Sequence, residues 1–192
     1  AEEALLKISR YVYKRTKMNK LCLAGEVALN CVGNSKVLRN GPFDDIWIQP
    51  ASSDAGAALG AGFFAWHFYL NKPRLSNELN DKQSGSLLGP RYDNKRIEEI
   101  LKKEKLIYRR SSDVALPEQV AGLIAQGKII GWFQGRLEFG PRALGSRSIL
   151  ADSRDPSMQN KINMRIKFRE PFRPFAPSVL NNKAAQWFHT KR

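Results

Sequence analysis

Between Gly135 and Leu150 the chain reads Gly-Arg-Leu-Glu-Phe-Gly-Pro-Arg-Ala-Leu-Gly-Ser-Arg-Ser-Ile-Leu. Glycines recur every five residues, at 135, 140 and 145, and arginines at 136, 142 and 147 are set among them. Glycine lets the backbone turn at positive φ and approach a ligand closely. Arginine offers a planar fork of donors that suits phosphate and carboxylate. The combination predicts an anion pocket for a phosphorylated small molecule. Arg142 and Arg147 are its expected cations, with Arg136, Gly140, Gly145 and Ser148 as binding positions beside them. A second segment, Lys167 to Pro177, sets cations at 167, 169 and 173 among aromatics and prolines. Lys167, Arg169 and Arg173 are expected to converge on the same pocket. The alternative is a solvated basic strand edge, ion-paired to Glu138 or Glu170. Glu138 is expected to orient an arginine rather than to touch ligand.

Two further places could do chemistry. Leu21 to Asn30 reads as a strand that ends at Gly25 and opens into a helix. Free N–H groups at such a helix start favour a phosphate or adenosine moiety, which makes Gly25 and Asn30 nucleotide candidates; a plain turn is the alternative. Asp54 follows a strand and precedes a run of small residues. It either caps a helix or serves as a metal or nucleotide ligand at the C-terminal edge of a sheet. His67 and His189 are the only histidines, and no Ser-His-Asp or Cys-His arrangement can be assembled. Cys22 and Cys31 are in no CxxC pair and are expected to be buried, reduced thiols, as suits a cytoplasmic protein.

The elements that must position these residues follow an α/β order. Residues 2–18 have helical apolar spacing, 21–24 and 45–49 read as strands, and 27–38 as a helix. The small-residue run 53–62, leading into 63–70, reads as a helix packed tightly through its glycines and alanines. Periodicity is lost from 71 to 90. Beyond it, helices are expected at 94–103 and from Pro117 to Gln126. Strands are expected at 106–109 and 128–133, and Asp155-Pro156 starts a helix to about residue 165. Residues 168–179, interrupted by prolines, read as extended and irregular.

The 192 residues are 42% hydrophobic and 26% charged, enough to build a core. Of the net charge of +14, residues 128–192 carry +9. A nucleic-acid tail would more often be a dense basic run poor in apolar residues. No apolar stretch approaches a membrane span, and no signal peptide is read. The chain opens on Ala1 and closes on Lys191-Arg192, which suggests a piece of a larger protein.

Cys22 to Asn30, Gln49-Pro50 with Asp54 to Gly60, Gly135 to Leu150, and Lys167 to Pro177 together resemble the O-carbamoyltransferase family of nodulation and antibiotic-biosynthesis proteins. The resemblance covers nearly the whole chain outside the linker, and the run from 135 to 150 is its most specific part. It implies an actin/Hsp70-like ATPase-superfold transferase domain ending at about residue 72, a linker at 73–90, and a YrdC-like domain opening at 91–192. It implies that the YrdC-like domain joins carbamoyl phosphate to ATP, with Mg2+, giving carbamoyl-adenylate and pyrophosphate. The other domain then passes the carbamoyl group to a hydroxyl of a sugar or other small acceptor, using Fe(II). Asp54 matches the family's metal-binding aspartate; its partner histidines would lie upstream of Ala1. Glu26 stands where the family has a second glycine, an unfavourable charge beside a nucleotide phosphate. The runner-up readings are a basic nucleic-acid-binding module and a threonylcarbamoyl or hydrogenase-maturation carbamoyl transferase.

Overall fold

The computed structural model describes residues 1–75 and 81–189. They fall into two compact units. The first takes in residues 1–104 and 133–147, and the second residues 105–132 and 148 onward. The segment expected as a linker, 73–90, lies within the first unit; its residues 76–80 are outside the described residues.

The first unit opens with α1 (Glu2–Thr16), acidic in its first turn and basic in its last, as the helix dipole favours. Next come β1 (Lys20–Leu23), a 3₁₀ turn at Glu26–Leu29, α2 (Cys31–Asn40) and β2 (Asp45–Ile48). Asn30 separates the 3₁₀ turn from α2, and its side chain caps α2 by accepting the Gly33 N–H at 3.1 Å. β1 and β2 pair in parallel, Lys20 opposite Asp45 and Leu23 opposite Ile48. Parallel neighbours need a crossover, and α2 supplies it. Leu6, Val37 and Phe43 are buried where α1 and α2 pack, and Tyr13 meets Phe43 edge-on at 5.7 Å.

After β2 the chain turns into α3 (Asp54–Phe64), which continues as a π-helical turn at Ala65–Tyr69. The small-residue run is helical, as its reading predicts. Alanine favours helix strongly enough to carry the glycines beside it. No residue of α3 is buried, and Phe63, Phe64, Trp66 and Phe68 are all more than half exposed. Residues 86–90 then run beside 137–139. The Phe139 N–H donates to the Ser86 carbonyl at 2.6 Å, Gly89 to Leu137 at 2.9 Å, and Leu137 to Pro90 at 3.0 Å. The unit's last helix is α4 (Asn94–Lys103), capped by the Asp93 carboxylate on the Arg96 N–H at 2.8 Å.

The second unit holds α5 (Ala115–Ala125), most of β3 (Ile130–Phe133) and β4 (Arg147–Leu150), α6 (Met158–Ile162) and α7 (Ala184–Trp187). β3 and β4 pair with each other. A π-helical turn, Asn163–Lys167, extends α6, and Met158 and Ile162 are buried. Residues 106–109, expected as a strand, form none. Ile107 is fully exposed, and no described strand lies alongside to accept a ladder. The two cysteines are free, as expected, but exposed rather than buried. Cys22 sits on a two-stranded sheet with a face left open, and Cys31 opens α2. Short strands alternating with helices are compatible with the α/β class.

Candidate functional site

The loop from 135 to 147 belongs to the first unit and is built around one carboxylate. Glu138 is 3% exposed. Its Oε1 accepts the backbone N–H of Leu144 at 2.8 Å and that of Ser146 at 2.7 Å. Its Oε2 lies 3.3 Å from Arg147 Nε. The Arg147 guanidinium also donates to the Gly140 carbonyl. Both ends of residues 140–146 are therefore tied, one through Glu138 and the other through Arg147. Burial pushes the Glu138 carboxyl up, but the N–H groups of Ser146 and Leu144 and the Arg147 charge outweigh it. The pKa is held below its ordinary value of 4.5.

Gly140 sets the loop against the rest of the unit. It has φ 130°, and a Cβ there would lie 3.0 Å from the Pro50 carbonyl oxygen and 3.1 Å from Ala51 Cα. Only glycine gives both that conformation and that approach. The loop apex, Pro141 and Arg142, lines a cleft of about 420 Å³ together with Glu26, Leu29, Asn30 and Ser53. Arg142 is exposed and makes one long contact, to the Leu29 carbonyl at 3.5 Å. Among the described residues no carboxylate pairs with it. The strand-turn-helix candidate and the arginine loop, two separate expectations in the sequence, thus share one cleft.

The other predicted residues are distributed as follows. Gly25 has φ 92° and precedes the 3₁₀ turn whose Glu26 enters the cleft. Asn30 lines the cleft, although its side-chain oxygen is engaged on Gly33. Arg136 donates to the Gly89 carbonyl at 2.8 Å, holding the 86–91 segment. Gly145 has φ 120° and leads into β4, where Ser148 is half-buried. Asp54 is the first residue of α3, next to Ser53 of the cleft, and is exposed. The side-chain cap considered for this helix is not made: its cap residue is Ser53, which forms no side-chain bond.

Lys167, Arg169 and Arg173 lie in the second unit, while Arg142 and Arg147 lie in the first. The second-unit segment is also wrapped around one buried side chain, Asn163, which is 0% exposed. Its amide donates to the carbonyls of Pro171 at 3.1 Å and Arg173 at 2.8 Å, and its oxygen accepts Arg169 Nε at 2.8 Å. Gln159, one helical turn earlier, reaches the carbonyls of Pro171, Phe172 and Arg173 at 3.1–3.3 Å. Arg169 stacks over Phe175 at 5.1 Å, and Arg173 pairs with Glu170 at 2.8 Å. Lys167 is exposed at the end of the π-helical turn. Sequence reasoning missed Asn163 and Gln159. The available signal is two amides four residues apart on a helix that feeds a proline-rich stretch.

Residues 1–63 match the family model described as carbamoyltransferase N-terminus, and residues 121–192 match the one described as carbamoyltransferase C-terminus. The chain belongs to the carbamoyltransferase family. The chain is 50% identical to an uncharacterised protein of Synechocystis sp. over 97% of its own length and 31% of the relative's. It is 46% identical to nodulation protein NolO of Bradyrhizobium diazoefficiens, covering 93% of the chain and 32% of the relative. It is 34% identical to nodulation protein U of Rhizobium fredii, over 88% of the chain and 26% of the relative. The chain thus spans about a third or less of the length of these relatives.

The family resemblance implies iron, and the donor set can be tested for it. Among the described residues no group of three or more His, Cys, Asp and Glu is gathered. One carboxylate does not hold Fe(II) against water. The described residues do not fit an iron site by themselves. No helix among the described residues is long and apolar enough to cross a membrane.

Proposed function

We propose that the whole protein is an ATP-dependent O-carbamoyltransferase that acts on a hydroxyl of a sugar or another small acceptor. Family membership and the nodulation proteins among the relatives support carbamoyl transfer. The observation that carries the site is Arg142, a cation without a carboxylate partner among the described residues, held at the edge of a cleft that also contains Asn30 and Ser53.

In the proposed reaction, water hydrolyses carbamoyl phosphate to carbamate and inorganic phosphate, and a carbamate oxygen attacks the α-phosphorus of ATP. Pyrophosphate leaves, taking the electron pair of the broken P–O bond, and carbamoyl-adenylate remains. The acceptor hydroxyl then attacks the carbamoyl carbon and loses its proton, and AMP leaves. Mg2+ accompanies the nucleotide. Each substrate is an anion, and charge builds on phosphate oxygens as bonds exchange. A guanidinium fixed in advance stabilises that charge without reorganising during reaction. Arg142 is assigned that role in the first unit; Lys167, Arg169 and Arg173 are proposed as a second anion-binding set.

The test is carbamoyl phosphate-dependent exchange between ATP and pyrophosphate, measured on the full-length protein at saturating ATP. Arg142→Lys keeps the charge but loses the fork, and should slow exchange at least about tenfold, equivalent to ~1.4 kcal/mol. A wild-type rate in Arg142→Lys would remove Arg142 from the site. No exchange in the wild-type protein would sink the adenylate route.

A further inference from the structure

The two central arginines of the loop have the same spacing from their glycines, yet the structure treats them differently. Arg147 is engaged on both sides, with Nε against the buried Glu138 carboxylate and its terminal nitrogen on the Gly140 carbonyl. Its side chain is 36% exposed, against 1% for Glu138. Arg142 projects from the stretch that this pair closes, and among the described residues its one hydrogen bond is the long one to Leu29. We infer that Glu138 and Arg147 form a positioning clasp that holds Arg142 at the cleft, and that Arg142, not Arg147, meets the anionic ligand. This rests on the proposed reading of the cleft.

The physical case is the geometry of closure. Residues 140 to 146 form a loop with no regular ladder of their own. Left alone, such a loop samples many states, and ordering each residue costs about 1–2 kcal/mol. Glu138 removes that freedom at the far end by taking two backbone N–H groups on one oxygen. Arg147 removes it at the near end by holding the Gly140 carbonyl. The clasp is self-consistent in charge, because the carboxylate that collects the N–H groups also neutralises the arginine. A charge already neutralised by a buried partner is a weak recruiter of phosphate. Arg142 keeps its charge for the cleft.

The division of labour makes distinct predictions for binding of inorganic pyrophosphate, followed by titration calorimetry on the full-length protein. Arg142→Ala should weaken binding by at least about tenfold. Glu138→Ala should weaken it comparably, because the apex is released. Glu138→Gln should recover part of that loss, because an amide oxygen still accepts both N–H groups while its NH2 cannot pair with Arg147. A purely electrostatic role for Glu138 gives no such rescue. Glu138→Ala combined with Arg142→Ala should bind no more weakly than Arg142→Ala alone, as expected when one change acts through the other. The same holds for Arg147→Ala combined with Arg142→Ala.

Additive losses in the Arg147/Arg142 pair would show that Arg147 touches the ligand itself and overturn the proposal. Wild-type binding in Glu138→Ala, or loss undiminished in Glu138→Gln, would overturn it too. Wild-type binding in Arg142→Ala overturns the anion reading of the cleft, and the clasp's role with it. That outcome is distinct from additivity, which leaves the cleft standing and removes only the clasp.

Discussion

The arginine loop of the first unit and the arginine segment of the second solve the same problem with opposite chemistry. Each is irregular backbone rich in cations, and each is organised by a single buried polar side chain. In the loop that side chain is an acceptor, Glu138, collecting N–H groups from Leu144 and Ser146. In the segment it is a donor, the Asn163 amide, holding the carbonyls of Pro171 and Arg173. The backbone explains the choice. Prolines at 171, 174 and 177 have no N–H, so the segment has carbonyls in surplus and needs donors. The glycine-rich loop keeps its N–H groups and needs an acceptor. One region depends on conformational freedom and a charge, the other on stiffness and amides.

The largest expected effect tests the acceptor. Glu138→Ala leaves two loop N–H groups without their acceptor and leaves Arg147 only the Gly140 carbonyl. It should lower unfolding stability by about 3 kcal/mol in a urea titration, as two N–H groups lose a charged acceptor. A loss under ~1 kcal/mol would show that water substitutes for the carboxylate.

Gly140→Ala should come next, at about 2 kcal/mol, since it sets a side chain at φ 130° against the Pro50 carbonyl. An equal change at Gly131, where a Cβ meets nothing within 4 Å and φ is not in the left-handed region, should be far milder. Equal losses at the two sites would refute the packing argument.

Asn163→Ala should reduce stability by about 1–2 kcal/mol, because the carbonyls it serves belong to exposed residues that water can reach. Asn163→Asp, which replaces two donors by an acceptor, should be worse than alanine. If aspartate proved milder, Arg169 rather than the carbonyls would be the partner that matters.

The smallest effect is in pH. Glu138 has a lowered pKa in the folded protein, so its contribution is present above the unfolded value and is lost as pH falls through the folded one. Stability measured from pH 6 downward should therefore decline below about 4.5, the ordinary value. Glu138→Gln should have a shallower decline over that range. Asp152 is held down to about 2 by Arg154, whose side chain is exposed, so this pair should add little. Parallel curves for wild type and Glu138→Gln would dismiss Glu138 as a source of the acid limb.

Much of the fold was legible where amphipathic spacing and end signals agree. The helix at 94–103 has an aspartate cap and an apolar stripe, and it is found at those bounds. The small-residue run at 54–64 was legible as a helix from its alanines, although alanine and glycine give no apolar stripe. The strand expected at 106–109 failed because apolar residues alone do not make a ladder without a neighbouring strand. At the site, spacing identified the loop but made Arg142 and Arg147 equivalent. What separates them is which one Glu138 reaches, and that depends on how residues 138–147 fold back. The joining of the Gly25–Asn30 turn to Arg142 was likewise invisible, being a contact between residues more than a hundred positions apart.

That distance has a consequence for synthesis. The first unit is made of two stretches, with residues 105–132 belonging to the second unit between them. A nascent chain at about 5–20 residues per second takes on the order of seconds to pass from residue 104 to residue 147. During that interval the parallel strand pair and α1 to α3 can form on the ribosome, while the turn at Glu26 and Ser53 faces solvent without its arginine. The clasp cannot close until Arg147 emerges, so Arg142 reaches the cleft in one late step. A chain stalled before that point would carry the cleft floor but no cation above it.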